Sequence, residues 1–590
     1  MIGSPHEHRK GTHGFSLIEV LLAIAIFGII ATAIFLSYSN ILDVISRTRT
    51  RTLASSLINK QIEMVRNLPY DSVGIDGGFP VGVLPATTTI LHEGQQFTLN
   101  YYVRNIDDPF DGKTGGSPND TAPADYKLVE LRANCVSCFN FVPVTFTTWV
   151  APQNLESSTL NGSLFINVFD ASGQAISDVD VLVSNTALSP DITINDTTNN
   201  SGSLQLVDIP PSTNGYQVTV SKSGYTTSRT YTPGATENPN PTKPHATVAT
   251  QQITALSFAI DRVSTINVKT QDMLCRAVPS IAMTQTGQKL IGSGPNVPLY
   301  SQAFTTDSAG ASPRSNLEWD TYAFINTSTG SDMAGSLALL PFSIDPNTTR
   351  SLEFLMEPKA STGLLVTVLD ENGAPLPSAT VNLVKTGFDE TKITGQKEFT
   401  TTDWSGGQYA LQDGLVTDNA PTGELHITLL GSVYATNTAS FVESNTIDFG
   451  TATTTFHSFG WNPVIQPAST ALRFQLSSAN ASSGPWTYTG PDGTSNTYYT
   501  ASSTLSAQYD AKRFFRYKAY LTTTIETATP VLRDVALSFS SGCVPSYQAF
   551  WSGIGTGSYT YTITKSGYQA ATGSITVGSG WQELRVTLTP

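Results

Sequence analysis

The chain has 590 residues, room for roughly three to five domains at the usual ~150 residues each. Only 13% of the residues are charged and the formal net charge is −14, which argues against a nucleic-acid partner, since that calls for a basic stripe. The remainder is rich in Thr, Ser, Gly and Asn, a composition that fits an exposed β-rich surface protein.

Residues 1–14 form a short basic leader, and the run Lys10-Gly-Thr-His-Gly14-Phe15-Ser-Leu-Ile-Glu19 passes from it into apolar sequence. Phe15 to Leu36 spans 22 residues, enough to cross a hydrocarbon core of about 30 Å as a helix. Glu19 is the only charged side chain inside, and a carboxylate in hydrocarbon costs on the order of 3 kcal/mol, so it reads as functional. An ordinary secretory signal would place its cleavage site after the apolar core, not before it. The pattern resembles the type III signal of type IV pilins and of the pseudopilins of type II secretion. That resemblance implies cleavage after Gly14 by a prepilin peptidase and N-methyltransferase, with Phe15 as the methylated new N-terminus. It also implies a subunit-assembly role for Phe15 and Glu19, the acid attracting the α-amino group of a neighbouring pilin or pseudopilin subunit once water is excluded.

Beyond the membrane-length stretch, Ile41, Leu42, Ile45, Leu53, Leu57, Ile58, Ile62, Met64 and Val65 keep a roughly helical spacing, and no Pro occurs before Pro69. A helix from Phe15 to Leu68 would be about 80 Å long, half anchor and half stem, within an element assigned to 15–70. Arg47, Arg49 and Arg51 form a basic cluster read as a solvated face or lipid-phosphate contact.

After residue 75, runs of Val, Ile, Thr, Tyr and Phe recur between Asn, Gly, Asp and Pro turns, without a second long amphipathic helix. The expected fold class is mainly β: one long N-terminal helix, a small pilin-like β-meander over 75–158, then tandem β-sandwich modules. Tyr101–Asp108 and Asp125–Arg132 read as neighbouring strands of the meander. Cys135-Val-Ser-Cys138 within it allows several readings. A zinc site would need two further ligands, and a thioredoxin-like motif belongs at a strand-to-helix junction. A local disulfide in an oxidising exterior demands least, and free thiols come next. Cys275 and Cys543 read as buried thiols.

Internal repeats follow. Ser163-Leu-Phe-Ile-Asn-Val-Phe-Asp170-Ala-Ser-Gly173 aligns at an offset of 200 with Gly363-Leu-Leu-Val-Thr-Val-Leu-Asp370-Glu-Asn-Gly373. The closing half Tyr216–Tyr225 aligns with Tyr559–Tyr568, but at an offset of 343. The mismatch of 143 residues places a domain inside the second of these copies, at an exposed loop where insertions are tolerated. A further copy shares the turn Thr305–Gly310 with Thr197–Gly202, and Leu317–Phe324 takes its closing-strand place. The modules are assigned to 159–261, 262–358, and 359–394 plus 542–590, with the insert at 395–541. They resemble the carboxypeptidase regulatory-like, Ig-like modules related to adhesin stalk repeats, which implies sandwiches without peptidase activity. In some such stalks a Lys is cross-linked to an Asn; Lys222 and Lys565, each in a Lys-Ser-Gly turn, read instead as turn lysines.

The insert's strand-like segments, among them Asn445–Gly450, Ala471–Gln475 and Arg513–Leu521, resemble a discoidin or galactose-binding-like jelly roll. That likeness implies glycan contact through loop aromatics, for which Trp461, Trp486, Tyr488, Tyr498 and Tyr499 are the candidates against a core reading. His92, His245, His426 and His457 are scattered among modules with no metal-ligand spacing, so neither a metal, a cofactor nor an enzyme activity is expected. The function expected is that of a minor type IV pilin-like surface subunit whose ectodomain serves adhesion to surface glycans or other cells. The alternatives are a pseudopilin of a type II secretion or DNA-uptake machine engaging cargo, or an unassembled membrane-anchored protein. The expected location is the inner membrane, single-pass with the N-terminus inside and the ectodomain extracellular, periplasmic or in a pilus.

Overall fold

The computed structural model describes residues 17–590 apart from 137, 139–140, 154–158 and 420–421, and gives the backbone alone at 19, 23 and 39. Strands account for 49% of it and helix for 9%. The chain divides into two compact units, Met1–Ile260 and Asp261–Pro590.

The first unit opens with one unbroken α-helix, Leu17–Arg66. Ala54, Leu57, Ile58, Ile62 and Val65 are buried, at the three- and four-residue spacing that lines up one face of a 3.6-residue helix. Met64, which the sequence pattern grouped with them, falls off that face and is exposed. The stripe lies on an antiparallel meander of Thr87–His92, Gln95–Ile106, Tyr126–Cys135 and Val144–Val150. The register runs from Phe97 opposite Cys135 to Ile106 opposite Tyr126, so Phe97, Leu99, Tyr101 and Val103 share the helix-facing side with Val129, Leu131 and Ala133. Polar groups at this interface are partnered: the Tyr101 hydroxyl donates to Gln61 Oε1 at 3.0 Å. Lys127, 6% exposed, donates to the carbonyls of Tyr70 and Val73 at 3.0 and 2.7 Å, which ties the loop after the helix to the sheet. In that loop Gly74 and Gly82 cross so closely that a Cβ on either would come within 2.4 Å of backbone, a space only glycine fits.

The rest of this unit is a two-sheet sandwich. One sheet orders Ile253–Ala259, Gly162–Phe169 and Ser203–Ile209; the other is built on Ser212–Ser221, Asp180–Asn185 and Ile192–Thr197. Its first strand, Gly162–Phe169, pairs parallel with its last, Ile253–Ala259. Arg104 joins the meander to this sandwich: its guanidinium is bidentate on Asp196 and 3.8 Å from Glu130.

The second unit repeats the sandwich pattern. Ser264–Gln271 runs parallel to Thr349–Pro358, and Thr362–Leu369 runs parallel to Gly580–Thr587. In the last sandwich, Thr380–Lys385 pairs with Phe388–Ile393 on one side and with Gly557–Thr564 on the other. The polypeptide between those two partners builds other sheets. Lys397–Thr401 and Asp534–Ser540, its first and last long strands, are antiparallel neighbours, so the chain leaves and returns at one place. Trp404 is fully buried in the core of this intervening part, which assigns the segment Thr401–Gly406 to it.

The repeats have a common physical basis. Each opening strand ends in an Asp whose Oδ1 accepts from backbone N–H groups two and four residues on: Ser172 and Gln174 for Asp170, Leu274 and Arg276 for Asp272, Asn372 and Ala374 for Asp370. The third residue after the Asp is left-handed, with φ of 79° at Gly173, 76° at Gly373 and 61° at Cys275. Cys275 therefore stands where glycine would, and that substitution hid the opening turn of the middle repeat, which the sequence shows through its later turn at Thr305–Gly310. Each closing strand carries a buried Tyr whose hydroxyl donates upstream to a carbonyl: Tyr216 to Pro210, Tyr322 to Glu318 and Tyr559 to Gly555. The turn lysines are tied likewise, Lys222 to the Ser177 carbonyl and Lys565 to that of Ser378.

Both cysteine pairs are bonded, Cys135 to Cys138 and Cys275 to Cys543. The second bond corrects the expectation of buried thiols. It links the opening turn of the middle sandwich to the point where the chain returns to the last one, residues 268 apart in sequence.

Two stability outcomes follow. Replacing Arg104 by Met leaves Asp196, 4% exposed at its side chain, as an uncompensated buried charge; the loss expected in urea unfolding of the detergent-solubilised chain is about 3 kcal/mol. Replacing Cys275 and Cys543 by Ser should lower the unfolding free energy of the second unit by about 5 kcal/mol, because the open chain regains the entropy of a long loop.

Candidate functional site

The N-terminal helix has two environments. From 17 to 49 every described side chain is exposed, while burial begins at Thr50. Leu17, Phe27, Ile29 and Phe35 show about 70% or more of their surface, and Ile18 shows 75%. At about 25 cal/mol per Å², a stretch of this composition is not stable in water and requires a hydrocarbon or a packed neighbour. It is long and apolar enough to cross a membrane. The hydroxyl of Thr32 is satisfied within the helix, donating to the Gly28 carbonyl at 2.9 Å. Among the described residues the first ion pair comes at the far end of the apolar run, Arg47 to Asp43 at 2.7 Å, both side chains half exposed. Of the expected assembly residues, Gly14 and Phe15 lie outside the described residues, and Glu19 is placed by its backbone in the first turns of the helix.

Residues 9–35 match the family model described as the prokaryotic N-terminal methylation motif. The chain thus carries a prepilin-type signal that runs without interruption into the exposed helix, which supports a pilin-like surface subunit anchored in a membrane. No curated protein matches the chain significantly. Among solved structures, it is similar to the Bacillus anthracis TIE protein at 10% identity, covering 86% of this chain and 73% of that one, with a TM-score of 0.16. A streptococcal ancillary pilin matches at 11% identity over 39% of this chain and 76% of its own, with a TM-score of 0.18. The minor pilin of Streptococcus agalactiae matches at 12% identity over 34% and 97%, with a TM-score of 0.17. At those TM-scores the three likenesses carry no argument about function.

The aromatic residues nominated for glycan contact divide. Trp461 and Tyr499 are 5% and 2% exposed and sit in the core of the intervening domain, with Trp461 4.5 Å from the ring of Phe474; they cannot form a ligand platform. Trp486, Tyr488 and Tyr498 are half-buried and hold the 480–500 loop against the outer face of Phe514–Thr523. Arg516 lies 4.7 Å from the Trp486 ring and Arg473 5.0 Å from that of Tyr498, while the Tyr488 hydroxyl donates to Glu443 at 3.2 Å. Their faces are occupied by the protein's own cations, so the core reading wins at two positions and a loop-fastening role at three.

The described histidines do not converge on one another. His426 lies 3.3 Å from Glu424, and His457 3.0 Å from the Ser540 hydroxyl. His245 is held between the hydroxyls of Thr230 and Thr232 at 2.9 and 3.0 Å, and burial pushes its pKa below the ordinary imidazole value. A depressed folded pKa makes protonation unfavourable to the fold, so the contribution of His245 is present above about pH 6.5 and lost as pH falls below it. Thermal unfolding should therefore shift down between about pH 6.5 and 5 in the parent chain, and shift less in His245→Gln over the same window.

Proposed function

We propose that this protein is a minor type IV pilin-like subunit, non-catalytic, which assembles through Phe15, Glu19 and the exposed half of its helix and displays its β ectodomain for contact with surfaces or other cells. The observation that carries the proposal is the continuity of the methylation motif with a helix whose apolar half has no cover among the described residues. Fibre packing around a shared axis supplies such cover from other copies, and membrane lipid supplies it before assembly. The large ectodomain favours few copies per fibre, because its bulk would crowd a closely repeating lattice.

In this reading the ectodomain comprises a pilin-like domain at 75–158, sandwiches at 159–261 and 262–358, a split sandwich at 359–394 plus 542–590, and an inserted domain at 395–541. The separation of the sheets at Ile393 and Lys397 on the way out, and at Ser540 and Gln548 on the return, supports those last boundaries.

Mass spectrometry of the N-terminal peptide tests the assembly role. Chain recovered from sheared fibres should begin at N-methylated Phe15, and Glu19→Val should insert into membranes yet lose incorporation into fibres by about tenfold or more, the loss of one ion pair in a water-excluded site. A chain that keeps Met1 and stays in the membrane fraction would remove the proposal.

A further inference from the structure

The loop between strands Gln95–Ile106 and Tyr126–Cys135 contains five aspartates: Asp107, Asp108, Asp111, Asp120 and Asp125. Asp111, Asp120 and Asp125 each bring a carboxylate oxygen within 4.8 Å of the other two. Such clustering is common on solvated surfaces, but Asp120 is only 8% exposed. Its Oδ1 accepts from the Ala122 N–H at 2.7 Å, while its Oδ2 has no hydrogen-bond partner among the described residues. A buried carboxylate oxygen left without a donor costs about 1–3 kcal/mol or more, so Asp120 Oδ2 calls for a partner that the described residues do not provide.

The other carboxylate oxygens are spent on shaping the loop. Asp107 Oδ2 accepts from the Thr114 N–H at 2.9 Å, and Asp125 Oδ2 from the Asp108 N–H. The side-chain oxygen of Asn119 accepts from the Gly115 N–H at 2.5 Å. No side-chain cation lies within ion-pair reach of Asp111 or Asp120 among the described residues.

We propose that the 107–125 loop is a calcium site, with Asp111, Asp120 and Asp125 as the carboxylate ligands. Every donor in the group is a hard oxygen, which selects against zinc and copper. An irregular loop punctuated by Gly112, Gly115 and Gly116 suits the loose, high-coordination sphere of calcium better than the strict octahedron of magnesium. The loop also touches the start of the following sandwich, since the Thr159 N–H donates to the Thr121 carbonyl at 3.0 Å and the Thr159 hydroxyl to Asp208 at 2.5 Å. A bound cation would fix the loop and, through Thr121, the junction between the meander and the first sandwich. This site does not depend on the assembly reading.

The test is calcium alone, titrated calorimetrically into the full chain in detergent after chelator stripping. One saturable site is expected, with a Kd in the range of about 0.1–1 mM that extracellular calcium modules show. Asp120→Asn should weaken it about tenfold or more. Because Asp120 is buried, the exposed Asp111→Asn serves as a second variant, expected to weaken binding as much with an unchanged far-UV spectrum. Calcium should also slow tryptic cleavage at Lys113. No saturable uptake up to about 5 mM calcium, or Asp111→Asn binding as tightly as the parent chain, overturns the proposal.

Discussion

One continuous helix in two solvents organises this protein. The described side chains of residues 17–49 have no cover among the described residues, and residues from Thr50 to Val65 supply one wall of the first core. Because a helix transmits position along its length at 1.5 Å per residue, whatever holds the apolar half also sets where the sheet packed on the other half stands. The inner face of the four-stranded meander is buried against the stripe of Leu57, Ile58, Ile62 and Val65. Anchor and first domain are thus one mechanical piece.

The sandwiches solve a different problem, that of repeating a fold along a charge-poor chain. Their shared devices are local: an aspartate that fastens a turn through two backbone N–H groups, a left-handed residue after it, and a buried tyrosine tied to a carbonyl upstream. Where the left-handed residue is Cys275 instead of glycine, the turn keeps its shape and gains a covalent bond to Cys543. Leu274, beside it, is buried in the core of the intervening domain, so the same turn serves as a docking point inside the second unit. The bond holds the point where the chain returns, at Cys543, to the opening turn of the middle sandwich.

Much of the architecture was legible because it rests on local patterns. The alternation in Gln95–Ile106 and Phe514–Thr523 gives strict inside-outside burial, and the offsets between repeats correspond to the sheets that Thr362–Leu369 forms with strands from the far end of the chain. The aromatic residues were read less well. Trp461 and Trp486 occur in similar Gly- and Pro-rich surroundings, yet one is core and the other fastens a loop to a sheet. The acidic loop carried no recognisable spacing at all, since its oxygens are brought together by the turn at 112–120.

The sequence by itself determined the prepilin-type signal, the membrane-length helix and the β class, because each is a periodicity or a run that neighbouring residues define. Tertiary structure alone decided that Cys275 meets Cys543, that Asp196 receives Arg104, that Trp461 is buried, and that three aspartates converge at one edge of the meander. These are contacts between residues distant in the chain, and their geometry exists only after the sheets have set the register that brings them together.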